Sequence, residues 1–547
     1  MWCGLAGATL LLASCAPAAA PAPPAPAPQA PAPAVARAPT PAPSPTPAGP
    51  KRGGILKIGT TANPASFDVQ QENTINVSML LTPVYNTLVQ YDAATGSKMV
   101  GGLAESWQVS ENGNVITFKM RAGVRAHDGT PFGAEDVVFN LQRNLKPPKG
   151  ILSNMGWALG PVKSIQKVGE DSVRVAFEYP YAPFLSVVAH EYLPLFPRHI
   201  VVEKGDTKTM AVGTGPFKFK AYTPSATFEL VRNADYWEKG LPYLDGVTFY
   251  ILPDRATYVA ALRTGQIQRT GRIFGALTAL EVETVKKGAQ GTAFVVSPAL
   301  IAPWLQFNAR PGSVFSDARA RQAVSMAIDR QAAVQVLAEG QGHIGGVFST
   351  YKEWGLSEQE RLQLPGFRQP KDQDIAEAKK LLVEADFPTT REITILSRRS
   401  ERNAATFLTG QLQSLGLTAK VDIAEDALFW PRAREGRFDL LFIAGAGQLP
   451  DPQWMVRYFT PGFPLDYSGL KDEALVKLAG QQVREQDSSR RRAMIQEIES
   501  HLLAKSVHSM PLVWPFTYIA VAQEVKAWVP GLNDYIGNRL ETVWLAQ

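Results

Sequence analysis

The sequence predicts a protein of mixed α/β class that is divided into more than one domain. Its 547 residues exceed the ~250–300 residues at which a single core stops growing. A strand is predicted at 172–179, where apolar and polar residues alternate as in a half-buried strand. Helices are predicted at 317–330 and 374–387, where apolar residues recur every three or four positions. Strand and helix patterns thus alternate, and two or three domains are expected.

The ends of the predicted elements carry their own signals. A second strand is predicted at 114–121, again from alternation. Asp317 is suited to cap the start of the helix at 317–330. Gly133 is expected to precede a further helix whose first turn carries Glu135 and Asp136, where negative charge suits the helix dipole. These signals predict where the elements begin, in addition to their type.

The first 50 residues are predicted to export and tether the protein. Residues 2–13 form an apolar run about half as long as the ~20 residues that span a bilayer, which is typical of the apolar part of an export signal. The following LASC resembles the lipobox of bacterial lipoproteins, in which the cysteine, here Cys15, is acylated. A plain signal peptide with an incidental Cys15 is the alternative. Residues 16–50 are mostly Ala and Pro and predict an extended spacer without a core.

The composition of the remaining chain excludes several classes of function. Without Arg37 of the leader, Lys and Arg number 54 and Asp and Glu 50, and no Lys/Arg run stands out, which argues against a nucleic-acid surface. The two cysteines are Cys3 and Cys15, so residues 16–547 can form no disulfide and no cysteine-ligated metal site. No apolar stretch after the leader is long enough to cross a bilayer. A soluble, exported body is therefore expected.

The sequence carries no recognised motif for catalysis or cofactor binding. The sequence has no GxSxG, HExxH or GxxxxGK[ST] pattern. The six histidines show no spacing typical of metal ligands. The glycine-rich GTGPF at 213–217 leads into a strand pattern, so no helix start is available there to hold a phosphate. We therefore predict no catalytic residue, no cofactor and no metal, and a protein that is not an enzyme.

A specific family resemblance is carried by segments spread along residues 51–547. The region LAESWQVSENGNVITFKMRAGVRAHDGTPFGAEDVVFNLQR at 103–143 closely resembles the signature region of the extracellular solute-binding proteins, family 5, which serve peptide and nickel ABC importers. Further segments follow in the family's order: GTGPFKFKAY, LVRNADYWEKGLPYLDGVTFYIL, FNARPGSVFSDARARQAVSMAIDRQAAV, DIAEAKKLLVEADF, FDLLFIAGAGQLPDPQW and MPLVWPFTYIAV.

The resemblance implies the type II periplasmic-binding-protein fold of the large peptide-binder class. In this fold two α/β lobes close on a ligand, and the first lobe carries an extra subdomain. Mapped onto this chain, the expected division is a lipoprotein signal peptide at 1–15, a Pro/Ala-rich linker at 16–50, the base of lobe I at 51–77, 206–300 and 525–547, the extra subdomain at 78–205, and lobe II at 301–524.

The chain departs from the family's peptide binders at Gln448. Those proteins carry an aspartate three positions before the acidic-Pro pair, here Asp451-Pro452, and this aspartate pairs with the peptide's α-ammonium group. Glutamine can accept a hydrogen bond but cannot neutralise a buried positive charge. Losing one partner of such a pair costs ~2–5 kcal/mol. A free peptide N-terminus is therefore not the expected ligand, unless the register shifts or Asp451 or Glu425 substitutes for the missing carboxylate.

Other candidate ligand contacts come from loops and from the family's ligand-lining segments. Arg398 and Arg399 follow a predicted strand near the position where peptide binders hold a carboxylate; a solvent-exposed loop cluster is the alternative. Large aromatic side chains on loops can stack on a ligand or brace the two lobes. Asparagines in the early ligand-lining segment offer neutral hydrogen bonds. The aromatic and asparagine candidates are Trp157, Tyr351, Trp354, Asn73 and Asn76.

The predicted function is capture of a small solute by lobe closure and delivery to an ABC permease of the inner membrane. A ligand that contacts both lobes only when they are closed shifts the equilibrium toward the closed form. The protein is expected to be a monomer in the periplasm or on the outer face of the cell membrane, anchored through Cys15. The solute is expected to be peptide-like; an oligosaccharide, an opine or a metal chelate is the alternative. An exported hydrolase and a protein-binding scaffold are the competing classes.

Overall fold

The computed structural model describes residues 49–546, apart from 73, 93–94, 96–97, 206, 272–274, 300, 352, 447–450, 464 and 531–538. The chain divides into two units, Met1–Gly49 and Pro50–Gln547. The second unit contains all the elements given below.

The strands within the described residues are numbered in chain order. They are β1 (Ile55–Thr60), β2 (Val89–Tyr91), β3 (Met99–Gly101), β4 (Ala104–Val109), β5 (Val115–Met120), β6 (Val162–Val168), β7 (Ser172–Phe177), β8 (Phe217–Thr223), β9 (Thr227–Arg232), β10 (Gly246–Ile251), β11 (Arg269–Thr270), β12 (Ala293–Pro298), β13 (Ile301–Phe307), β14 (Gly342–His343), β15 (Ile393–Ser397), β16 (Ala419–Ile423), β17 (Leu440–Ala446), β18 (Ser509–Pro511), β19 (Trp514–Val521), β20 (Val525–Lys526) and β21 (Trp544–Leu545).

The α-helices are numbered in the same way. They are α1 (Ile75–Leu81), α2 (Ala134–Leu145), α3 (Phe184–Val188), α4 (Arg198–Lys204), α5 (Arg255–Arg263), α6 (Ala279–Lys286), α7 (Ala318–Ala327), α8 (Arg330–Leu337), α9 (Glu358–Leu362), α10 (Asp372–Glu384), α11 (Arg402–Gln413), α12 (Asp426–Glu435), α13 (Gln453–Tyr458), α14 (Glu473–Gln482) and α15 (Ser488–His501).

A large mixed sheet forms what we call the first lobe. Its strands lie in the order β12-β19-β11-β1-β10-β9-β8, and β14 pairs with β19. The central strand β1 runs parallel to both β10 and β11. Its residues Leu56 and Ile58 are fully buried, as expected for a strand covered on its inner face. The sheet therefore provides the platform of the first lobe.

A four-stranded antiparallel sheet forms what we call the subdomain. Its order is β4-β5-β7-β6, and α2 packs against β6 and β7. Val173 and Val175 are buried on one face of β7, which confirms the strand predicted there from alternation. Gly133 precedes α2, and its N–H donates to the Asp136 carboxylate at 2.9 Å. The predicted start of this helix is also confirmed.

A five-stranded mixed sheet forms what we call the second lobe. Its order is β16-β15-β17-β13-β18, and its core is shared with α7, α10 and α11. Helix α7 begins after Asp317, whose carboxylate accepts the N–H of Arg319 at 2.8 Å. Helix α10 buries Ala378 and Leu382. Both helices predicted in this region are therefore present.

Two connections join the sheets of the two lobes. The first runs from β12 to β13, near the predicted boundary at residue 300. The second runs from β18 to β19, whereas the predicted division kept residues up to 524 in lobe II. Strand β19 instead pairs antiparallel with β12, from Ala293 opposite Val521 to Pro298 opposite Phe516. This pairing places residues 514–521 in the first lobe, because the hydrogen bonds of the strand are made there.

Candidate ligand site between the lobes

The subdomain and the second lobe meet through aromatic side chains. Trp157, in a short 3₁₀ turn of the subdomain, and Trp454, in α13, have ring centroids 5.2 Å apart. The guanidinium carbon of Arg457 lies 4.5 Å from the Trp157 ring centroid. Nearby, the backbone N–H of Ala182 donates to the carbonyl of Val483 at 2.8 Å. The two parts are therefore in direct contact in this conformation.

A buried ion pair lies at this junction. The guanidinium of Arg491 in α15 donates two hydrogen bonds to the Asp451 carboxylate, at 2.6 and 2.7 Å. The exposed fractions of the two side chains are 5% and 3%. The third donor, Nε of Arg491, binds the side-chain oxygen of Gln482 at 3.0 Å. Because the geometry is bidentate and the charges are desolvated, the Asp451 carboxylate is already neutralised within the protein.

A loop of the second lobe brings two more aromatic residues to the ion pair. The guanidinium carbon of Arg491 lies 5.0 Å from the Trp354 ring centroid. Tyr351 is 8% exposed, and burial raises its pKa well above the usual range, with a further contribution from the charge of Asp451. Tyr351 and Trp354 therefore line the same junction as the ion pair.

The buried carboxylate of Glu499 holds this loop in place. It accepts the backbone N–H groups of Phe348 at 3.1 Å and Leu356 at 2.6 Å. Burial raises the pKa of Glu499. A Cβ atom on Gly346 or Gly355 would lie 1.9 or 2.9 Å from a Glu499 oxygen. Glycine is required at both positions because the backbone passes so close to the carboxylate.

Tyr181 completes the junction on the subdomain side. Its hydroxyl donates to the carbonyl of Ala158 at 3.1 Å. Burial raises its pKa, the charge of Asp451 adds to this, and the positive charges of Arg491 and Arg457 oppose it. Tyr181 therefore lies within the electrostatic influence of both charged groups. We call the following residues the interlobe cluster: Trp157, Tyr181, Tyr351, Trp354, Asp451, Trp454, Arg457 and Arg491.

Four of the predicted ligand residues belong to this cluster: Asp451, Trp157, Tyr351 and Trp354. Asn76 has a different environment. Its amide oxygen accepts from the hydroxyl of Thr60 at 2.8 Å, and its nitrogen donates to the carbonyl of Ala62 at 2.7 Å. Both ends of the Asn76 side chain are thus bound within the first lobe.

The predicted arginine pair also lies apart from the cluster. Arg398 forms an ion pair with Glu401 at 2.8 Å and stacks over Trp430, 5.2 Å from the ring centroid. Arg399 is 83% exposed and lies 3.3 Å from Glu425, which is 78% exposed. For Arg399 the structure matches the alternative of a solvent-exposed loop cluster. Glu425 is likewise at the surface and does not take the place of a buried aspartate.

Three predicted positions lie outside the described residues. They are Gln448, Asn73 and Cys15. Their roles in ammonium recognition, ligand lining and lipid attachment stay predictions.

The sequence did not reveal four members of the cluster: Tyr181, Trp454, Arg457 and Arg491. Arg491 is the middle residue of three consecutive arginines, and only the helical geometry shows that it is buried while Arg490 is exposed. Among these residues, Trp454 had a signal in the sequence, because it follows Asp-Pro-Gln in a segment that resembles the family. Arg457 stands one helical turn later, and its neighbours gave no indication of its environment.

Other features of the described residues do not place the interlobe site elsewhere. No group of three or more His, Cys, Asp or Glu in this part of the chain could hold a metal ion. No helix among the described residues is long and apolar enough to cross a membrane. A cavity of about 660 Å³ is present, but its lining belongs to the subdomain, between α2, β6 and α4, and not to the junction of the lobes.

Two α/β lobes that meet through an aromatic and charged junction define a two-lobed binding protein. Comparison with known proteins identifies the family to which this binding protein belongs. The family model of the bacterial extracellular solute-binding proteins, family 5, matches residues 98–464, which is more than half of the chain. The chain belongs to this family, and the prediction of the family and of its two-lobed fold is confirmed.

Individual relatives agree with this assignment. A probable di/tripeptide-binding protein of Pseudomonas aeruginosa is 27% identical over 516 residues, covering 88% of this chain and 94% of the relative. The periplasmic protein DppA of Helicobacter pylori, solved with the peptide STSA, has a TM-score of 0.71 at 24% identity, covering 91% and 99% of the two chains. AgaA of A. tumefaciens R10, solved with agropinic acid, has a TM-score of 0.71 at 23% identity, covering 90% and 99%.

Proposed function

We propose that this protein is a membrane-tethered receptor that captures a small solute between its lobes and delivers it to an ABC permease. The observation that carries the proposal is the interlobe cluster, to which the subdomain contributes Trp157 and the second lobe contributes Trp454. A solute bound here touches both parts only when they are close together. Its binding energy therefore favours closure, and the closed form presents a distinct surface to a permease.

The solute class is proposed to be peptide-like. The Pseudomonas relative is named for di- and tripeptides, and DppA was solved with a peptide. Gln448 and the neutralised Asp451 argue against a free α-ammonium group, so a peptide with a blocked N-terminus fits better than an unmodified one. An opine-like compound is the second candidate, because AgaA was solved with agropinic acid.

The tether is proposed to be a lipid on Cys15, followed by the Pro/Ala-rich spacer. Mass spectrometry of the exported full chain should find a processed N-terminus at Cys15 with added acyl mass. Cys15→Ala should release the protein from the membrane fraction while leaving its unfolding midpoint unchanged. Membrane association that persists in Cys15→Ala would contradict the proposed anchor.

The function is tested by native mass spectrometry of the exported full chain, extracted in detergent, before and after denaturation and refolding. A discrete small-molecule mass that is lost on refolding would support a receptor and identify its solute. The same preparation should show no turnover of peptide or ester substrates; turnover that survives exhaustive purification would favour the hydrolase. No bound mass together with no stabilisation by any solute pool would favour a scaffold that binds proteins.

A further inference from the structure

The cavity of about 660 Å³ in the subdomain is separate from the interlobe cluster. It lies between α2, β6 and α4, together with the loop that follows α2, and none of its described lining residues belongs to the cluster. Pockets of ~300–1,000 Å³ typically enclose most of the surface of a small organic molecule. The cavity is therefore large enough for a ligand of its own.

The lining of this cavity is mainly aliphatic. Ile165 on β6 and Val201 on α4 are each 6% exposed, whereas Val202 is 61% exposed although it belongs to the same lining. Leu145 and Ile151, which also line the cavity, are half-buried. Aliphatic surface that is open to water gains free energy when an apolar group covers it. The lining therefore favours a ligand with a hydrocarbon part.

Two polar side chains of α2 that line the cavity are already bound within the protein. Arg143 donates to the Asp68 carboxylate at 2.7 Å and to the side-chain oxygen of Gln70 at 2.5 Å. The amide nitrogen of Gln142 donates to the carbonyl of Ile165 at 3.3 Å. Because these groups have partners, they do not need one from a ligand.

Two lysines give the cavity a positive charge that the protein does not compensate. Lys146, which follows α2, and Lys163, on β6, both line the cavity and are exposed. Neither forms an ion pair with another described residue, whereas Lys167 on the same strand pairs with Glu135 at 3.2 Å. None of the described lining residues is an aspartate or a glutamate. The charge of the cavity is therefore complementary to an anion.

We propose that this cavity binds a monomeric aliphatic anion, a single hydrocarbon chain that ends in a charged head such as a carboxylate. The chain packs against the aliphatic lining, and the head lies at Lys146 and Lys163. A lysine ammonium acts as a hydrated point charge on a flexible stem, so the site selects negative charge more than the shape of the head. The inference goes beyond the proposed function, because no residue of the interlobe cluster takes part.

The test uses hexanoate, octanoate and decanoate, each below its critical micelle concentration, with octanamide as the uncharged match of octanoate. Binding to the full chain carrying Cys15→Ala, purified without detergent and stripped by refolding, is measured by titration calorimetry. Burial of each added methylene should raise the affinity about 4-fold. Octanoate should bind about 3- to 10-fold more tightly than octanamide, and this difference should shrink at high salt because the lysines are exposed.

Matched substitutions locate the site. Val202→Asp places a negative charge in the lining and should lower the affinity for decanoate about 10-fold or more. Leu152→Asp is its control, because Leu152 is 70% exposed and lies outside the lining. Lys146→Met combined with Lys163→Met should remove the preference for octanoate over octanamide. Lys149→Met, at an exposed lysine of the same loop outside the lining, should retain that preference.

Each outcome of these measurements supports or overturns the proposal. Affinity that does not rise with chain length, or that Val202→Asp leaves intact, overturns the site. Equal binding of octanoate and octanamide overturns the proposed class of ligand. Sedimentation with phosphatidylglycerol vesicles, without binding of the monomeric series, would identify a membrane-contact surface and overturn the cavity site. If Val202→Asp does not fold, the chain-length series and the lysine double variant still decide, since exposed lysines contribute little to stability.

Discussion

At the scale of single residues, the buried charges of Asp451 and Arg491 neutralise each other at the junction of the lobes. Both charges are buried and each satisfies the other, so removing one leaves the other desolvated and unpaired. Asp451→Asn and Arg491→Met should each lower the free energy of unfolding by about 3–5 kcal/mol. The double variant should lose less than the sum of the two. Urea unfolding followed by circular dichroism measures all three.

The exposed pair of Arg399 and Glu425 provides a control for this cycle. Its side chains are 83% and 78% exposed, and surface pairs contribute ~0–1 kcal/mol. The double substitution Arg399→Met with Glu425→Gln should therefore change stability by less than about 1 kcal/mol. Strict additivity at Asp451 and Arg491 would show that the two charges do not stabilise each other.

His508 should make stability depend on acid pH. Burial lowers its pKa to about 3, and the charge of Arg321 adds to this effect. The unfolded state, with an ordinary histidine pKa near ~6.5, takes up a proton first as the pH falls. Stability is therefore unaffected above about pH 6.5 and decreases toward pH 3, by up to ~1.4 kcal/mol per pH unit from this group.

The measurement is urea unfolding of the protein and of His508→Gln at pH 8, 7, 6 and 5. Nearby Asp472, whose pKa is lowered by its hydrogen bonds, also loses its stabilising effect in acid, so the difference in slope between the two proteins is the relevant quantity. The variant should show a shallower loss below pH 6.5 and the same slope above it. Parallel curves over the whole range would assign the acid sensitivity to other groups.

Gln448 gives a separate prediction about the ammonium end of the solute. Gln448→Asp supplies the carboxylate found in the family's peptide binders and should increase affinity for peptides with a free N-terminus about 30-fold or more. Calorimetry with unmodified and N-acetylated dipeptides to pentapeptides measures the change, and the acetylated series is the control. No gain across the unmodified series would remove Gln448 from the ligand site.

At the scale of secondary-structure elements, local signals predicted the helices and strands well. The cap at Asp317, the helix start at Gly133 and the alternation in β7 depend on neighbouring residues only, and each is present in the structure. The members of the site were harder to predict. The roles of Arg491 and Arg457 depend on partners that lie about 40 and 300 residues away in the sequence. No local sequence pattern contains that information.

The cap of α7 can be tested directly. Asp317→Ala removes the side-chain acceptor for the Arg319 N–H and the ion pair with the Arg319 side chain. It should lower the free energy of unfolding by about 1 kcal/mol. Asp317→Asn keeps the cap and should cost much less. Urea unfolding of both variants measures this, and equal losses would assign the effect to the ion pair instead of the cap.

At the scale of the whole molecule, the lobes are joined by two crossing connections and touch through the interlobe cluster. The division of the chain into lobes stays a prediction at residue 300. The predicted division did not place β19 in the first sheet, because whether a strand belongs to one sheet or the other depends on its pairing, here with β12. An apolar strand pattern predicts a strand but not its neighbours.

Trp157 should hold the lobes together in the absence of solute. Its contacts with Trp454 and Arg457 are of the aromatic and cation–π kinds, which contribute ~0.5–2 kcal/mol each. Trp157→Ala should therefore favour the open form at least about 5-fold, raising the radius of gyration in small-angle X-ray scattering. Trp107→Ala, a half-buried tryptophan of β4 in the same subdomain, should leave it unchanged. Equal curves for both variants would show that Trp157 does not control closure.

The loop held by Glu499 has a consequence for how substrate range can change over evolutionary time. Gly346, Gly355 and the Glu499 carboxylate hold the loop in place, whereas Tyr351 and Trp354 lie between the two glycines in the sequence. The residues that secure the loop are thus separate from those that face the junction. Tyr351 is almost fully buried, whereas Trp354 is only half-buried. A substitution at Trp354 can therefore alter selectivity at a lower cost in folding, so new specificities are accessible to this scaffold by single steps there.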